Sequence, residues 1–259
     1  MTSTATKEKR RRQQVRLNTI RLRATIGWLG MLLPWIVVLL IGDPQSSIFV
    51  IVLSLVTVLL LSRKGYELIG VLPICLAALL IGDFPPSISA TWYTNACTVF
   101  MIILGSASFL LISYKGYEKI DDILLTCSGI AGLGICLFPC SIDECPERVG
   151  TFLVDSQVSN IIHFISAIIF FGLLAYNSFF LFTKEAGEPT KKKKIRNIIY
   201  RVCGVGMIGS FAIMLLPEFR IQVWLTETIA LFFFAISFLT KADIYPWLAC
   251  DTPYTEGDD

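Results

Sequence analysis

The chain has 259 residues, of which 54% are hydrophobic and only 16% are charged. A soluble domain carries about 25% charged residues, so this composition argues against an ordinary soluble enzyme or binding domain and points to the bilayer. The net charge of +2 supplies no strong overall field, and no nucleic-acid partner is expected.

Residues 1–23 are polar and Arg-rich and read as a basic cytoplasmic tail, disordered up to an amphipathic stretch near Val15 to Leu22. A basic segment ahead of an apolar run fixes the orientation of a first span. A cleaved signal peptide is the competing reading, but no small-x-small cleavage site follows. Apolar segments then recur at Ala24–Gly42, Ser46–Ser62, Tyr66–Gly82, Asn95–Ser113, Ile123–Phe138, Ile161–Phe182, Ile198–Leu216 and Ile221–Thr240. A helix needs about 20 residues to cross the hydrocarbon core, and most segments approach that length. The predicted fold is all-α: a polytopic transmembrane helix bundle of eight spans over residues 24–240, with a cytoplasmic C-terminal tail at 241–259.

Charge supports that count. With the N-terminus inside, only Arg148 and Arg220 of the 22 Lys and Arg residues fall on the outer side. Basic residues in short loops stay cytoplasmic, so the expected location is the plasma (inner) membrane, multi-pass, with both termini in the cytoplasm. The run Lys191, Lys192, Lys193, Lys194 sets topology and is also a candidate contact for anionic lipid heads. The motif Lys-Gly-Tyr-Glu occurs at Lys64–Glu67 and again at Lys115–Glu118, each between two apolar spans. It reads either as a parallel repeat of two-helix hairpins or as the bias of membrane composition. Ser128, Gly132 and Cys136 recur at four-residue spacing, and Gly204, Gly206, Gly209 and Ser210 form a second small-residue group; both sets predict close helix packing.

Glu227 is the sharpest chemical signal, because it precedes an uninterrupted apolar run to Leu239. A carboxylate within the hydrocarbon costs about 2.5–3.5 kcal/mol on insertion scales and usually faces the bundle interior. The alternative is a wet, interfacial Glu227. His163, the one histidine, falls at a similar depth and could relay protons with it or simply hydrogen-bond at the interface. Asn177 is either interhelical glue or part of a polar path. Tyr93 and Asn95 belong to a collar, Ser87 to Asn95, that either lines an outer cavity or serves as an aromatic belt with Thr94 or Asn95 as a helix cap. Cys140 and Cys145 lie between Pro139 and Pro146, on the expected oxidising side, where they suit a small-loop disulfide. One histidine and no CxxC pair give no basis for a metal site, and the residues name no cofactor.

The stretch Ser-Ile-Ser-Ala-Thr-Trp-Tyr-Thr-Asn followed by Tyr-Lys-Gly-Tyr, with Leu-Phe-Pro, His163-Phe, Phe-Leu-Phe-Thr-Lys and Ile-Tyr-Arg-Val-Cys-Gly beyond it, resembles a family of uncharacterised bacterial multi-pass membrane proteins. The resemblance covers residues 85–241 and implies a membrane bundle without implying an activity. The family tends to carry an Arg-Asp pair after Tyr-Thr-Asn, where this chain has uncharged residues around Cys97 and Thr98.

Three functions remain open to the sequence. One is an ion or small-molecule binding site or pathway in the outer half, lined by Glu227, His163 and the collar. Another is a non-catalytic membrane component that forms a homo-oligomer or binds a partner. The last is a membrane-embedded lipid hydrolase with His163 and Glu227 as acid and base, although no complete catalytic constellation is visible.

Overall fold

The computed structural model describes residues 2–61, 67–116, 118–184, 190–214, 216 and 223–248. Among them are eight α-helices: α1 (Thr2–Gly42), α2 (Pro44–Leu61), α3 (Glu67–Ile81), α4 (Cys97–Ile112), α5 (Lys119–Leu137), α6 (Ser156–Tyr176), α7 (Lys191–Met214) and α8 (Val223–Lys241). Each predicted apolar segment contains all or part of one of these helices among its described residues. Five stretches are long and apolar enough to cross a membrane: Leu17–Gly42, Lys119–Leu137, Ser156–Leu181, Lys191–Met214 and Val223–Lys241. The other apolar stretches include the shorter Val71–Ile81 and Cys97–Ile112. The expected disordered start is corrected: α1 is helical from Thr2 and runs unbroken into the apolar stretch. Of the first Lys-Gly-Tyr-Glu copy, only Glu67 falls within the described residues, and residues 249–259 of the C-terminal tail lie outside them.

Helix α1 is the hub and packs against α2, α3, α4 and α8. The last carbonyls of any helix lack intrahelical donors. Here neighbouring segments add donors around the end of α1, where Asp43 N already bonds Leu39 O at 3.2 Å. Asp83 N donates to Val38 O at 3.2 Å, Ser47 Oγ to Leu39 O at 2.8 Å, and Asn95 Nδ2 to Leu40 O at 2.8 Å. The remaining helices follow in sequence, α4 on α5 on α6 on α7 on α8, and α8 closes the ring on α1.

Small residues permit the close crossings. A Cβ at Gly132 of α5 would stand 2.2 Å from Ser108 Oγ of α4 and 3.0 Å from the Phe170 ring of α6. Gly204 of α7 lies similarly against Ala175 O, whereas Gly209 meets nothing within 4 Å. The small-residue expectation therefore holds at Gly132 and Gly204 and has no packing counterpart at Gly209.

Two irregular turns position the polar side chains. A 3-10 turn, Ser89–Tyr93, precedes α4, and a π-turn, Asn177–Leu181, extends α6. Between α5 and α6 a small hairpin pairs β1 (Arg148–Val149) with β2 (Val154–Asp155). Asp155 then caps α6 by accepting from Gln157 N and Val158 N.

Candidate functional site at the Glu227 end

The segment from Phe84 to Ile88 crosses the first turn of α8 and is tied to it in both directions. Trp224 N donates to Pro86 O at 3.1 Å. Ile88 N donates to Glu227 Oε2 at 2.5 Å, and Ser89 Oγ lies 3.4 Å from Glu227 Oε1. An early N–H of α8, which has no partner within its own helix, is thus satisfied, and so are the first amides of the 3-10 turn. Trp224 completes the clasp, with its ring edge-on to Trp35 and Phe84 at centroid distances of 6.0 and 4.8 Å.

Behind the clasp is a cavity of about 40 Å³ lined by residues of the collar and of α1, α4, α5, α6, α7 and α8. Its walls include Leu33, Phe100, Phe170 and Leu231, and Glu227 is the one charged residue on them. A water needs about 10–15 Å³, so the cavity admits about three, whereas pockets for organic ligands span about 300–1,000 Å³. Glu227 is half-buried in this setting.

The collar carries further groups to the same end. Tyr93 Oη donates to Cys140 O at 2.8 Å and lies 3.4 Å from Cys145 Sγ. Burial, followed by the hydrogen bond to the Cys145 side chain, pushes the Tyr93 phenol above its ordinary value, so it remains a neutral donor. Burial also pushes the Cys140 thiol up to about 12, with the Glu227 charge adding to the effect. Cys140 and Cys145 are both free thiols here, so the expected disulfide is not formed in this structure.

The other candidates face elsewhere. His163 is buried, and its Nδ1 lies 2.8 Å from Phe138 O at the end of α5. Ser159 Oγ donates to Pro139 O at 2.8 Å, and Asn160 Oδ1 accepts from Ser141 N at 2.9 Å. Together the three fasten the end of α5 to α6. His163 does not line the cavity and is not paired with Glu227. Asn95 points to α1 and does not cap α4: the residue preceding α4 is Ala96, which has no side-chain cap, and Thr94 Oγ1 accepts only from Ala96 N, at 3.2 Å.

Asn177 belongs to the opposite end of the bundle. Glu227 and Lys241 are separated along α8 by about 21 Å at 1.5 Å per residue. Between them Leu231, Phe234, Ala235 and Phe238 are buried. Phe234 meets Phe170 and Phe238, and Phe238 meets Phe182, in an aromatic layer.

Sequence reasoning missed the polar network beyond that layer. Arg23 is 7% exposed; its Nε donates to Tyr114 Oη at 2.7 Å and its Nη1 to Lys241 O at 3.5 Å. Lys241 Nζ donates to Phe182 O at 3.1 Å. Cations are favourable where helices leave carbonyls exposed at their C-terminal ends, which is where these two sit. Arg196 pairs with Asp243 and donates through Nη2 to Tyr200 Oη at 3.0 Å. The four-residue spacing of Arg196 and Tyr200 was the available signal. No metal-ligating cluster of three or more His, Cys, Asp or Glu occurs among the described residues.

The chain matches no known family profile, no curated protein and no solved structure.

Proposed function

We propose that this chain is an eight-span protein of the plasma (inner) membrane with both termini in the cytoplasm, and that the outer half of its bundle binds a small cation or proton at Glu227. The observation that carries the reading is the Glu227 carboxylate, the one charged group in a cavity of about 40 Å³ whose walls are otherwise apolar apart from Ser89. Such a volume suits an ion with one or two waters and is far too small for a lipid. The aromatic layer around Phe234 and Phe238 favours a binding site closed on its far side over an open pore. The distribution of basic residues supports the threading, and the resemblance of residues 85–241 to a bacterial membrane family belongs to the same proposal.

Lys191–Lys194 open α7, where positive charge opposes the helix dipole. Contact with anionic lipid heads would offset that cost. The hydrolase reading finds no support, because His163 is bonded to a backbone carbonyl and lies outside the cavity. A second reading, a non-catalytic component that oligomerises or binds a partner, draws on the backbone hydrogen bonds that already occupy Glu227 and His163.

Trp224, one turn before Glu227, provides the test. Intrinsic fluorescence of the purified full-length chain is titrated with protons, Na⁺ and K⁺. The cation reading expects a saturable change with one of them that Glu227→Gln abolishes. No response to any of them, or an unchanged response in the variant, leaves the non-catalytic reading in its place.

A further inference from the structure

Beyond the aromatic layer, Tyr114, Asp121, Asn177, Leu181, Phe182 and Lys241 enclose a second cavity of about 10 Å³. That is about the space one water needs. Asn177 is 1% exposed, and its Nδ2 has no hydrogen-bond partner among the described residues. An amide N–H left unbonded in an apolar interior is costly, so the position calls for an acceptor.

The chemistry of the wall selects the acceptor. Asp121 and Lys241 bring opposite charges to the same small space, so neither a bare cation nor a bare anion finds a complementary field. A water is both donor and acceptor. It would accept from Asn177 Nδ2 and the Lys241 ammonium and donate to the Asp121 carboxylate, which makes the about three bonds typical of buried water. The backbone is prepared for it. Asn177 opens the π-turn, where Phe182 N reaches back to Asn177 O at 2.9 Å. Single π-turns of this kind recur at functional sites.

We propose that this cavity is a binding site for one internal water, which joins the π-turn of α6 to α5 and α8. The site does not depend on cation binding at Glu227.

X-ray radiolytic labelling of the full-length protein in detergent tests it, because radicals formed from an ordered water mark the side chains beside it even when these are buried. Phe182 at 4% exposure and Tyr114 at 3% should label several-fold faster than Phe238, which is 1% exposed and lines neither cavity. Asn177→Leu should remove that excess, and Asn177→Ser, which leaves room and a hydroxyl, should keep it. Equal labelling of Phe182 and Phe238 in the unmodified chain overturns the proposal, as does an excess unchanged by Asn177→Leu. The comparison within the unmodified chain decides the matter even if a variant fails to fold.

Discussion

Ile88 and Glu227, 139 positions apart in the chain, are joined by a hydrogen bond of 2.5 Å from the backbone amide to the carboxylate. Because the same segment also accepts from Trp224 N, the clasp works in both directions. The carboxylate is therefore a fastening as well as a charge, and substitutions can separate the two roles. Glu227→Gln keeps an acceptor for Ile88 N, while Glu227→Ala removes it. Hydrogen bonds to charged groups contribute about 1.5–3 kcal/mol, so Glu227→Ala should lose about 2 kcal/mol and Glu227→Gln clearly less. Denaturant unfolding in detergent compares them; equal losses would mean that Ile88 does not depend on this acceptor.

His163 should behave as a structural residue. Its ring holds Phe138 O, so His163→Ala leaves a carbonyl near the end of α5 without its donor, at a cost of about 1–3 kcal/mol. His163→Asn, which offers an amide donor at similar reach, should recover part of that loss. If His163→Ala unfolds at the same denaturant concentration as the parent, the fastening role is wrong.

The two loop thiols should differ in reactivity. Cys140 is 9% exposed with its thiol pushed up to about 12, whereas Cys145 is partly exposed. The thiolate is the attacking species, so Cys145 should react with a maleimide well before Cys140. In intact cells a membrane-impermeant maleimide should reach Cys145 from outside if the proposed threading holds. Protection of both cysteines until a reductant is added would instead reveal the disulfide.

Close packing between α4 and α5 should be sensitive at one glycine and tolerant at another. Gly132→Val places atoms where Ser108 Oγ and the Phe170 ring already lie, and overpacking of this kind costs about 1–3 kcal/mol. Gly105 on α4 meets nothing within 4 Å, so Gly105→Ala should be neutral or gain up to about 1 kcal/mol of helix propensity. Thermal unfolding of both variants distinguishes a crowded crossing from a general preference for glycine.

Much of the architecture was legible because lipid offers no hydrogen bonds. A segment of about 20 apolar residues must satisfy its backbone within itself, and helix is the way a single segment does so. Segment boundaries such as Ile221–Thr240 therefore lie close to α8, Val223–Lys241. The packing role of Gly132 was legible as well, because side-chain size acts locally. The turn before α4 was not: Thr94 and Asn95 have the chemistry of caps, yet Asn95 serves a carbonyl of α1.

The sequence alone pointed to a predominantly helical, apolar chain, and it identified Glu227 as the carboxylate needing an explanation. The tertiary structure decided which polar groups meet: Glu227 with Ile88, Tyr93 with Cys140 and Cys145, His163 with Phe138, and Asn177 far away beside Asp121 and Lys241. The reason is physical. Helix formation is dictated by neighbours within a few residues, whereas a buried polar side chain takes whichever donor or acceptor the packing of distant helices brings within about 3 Å.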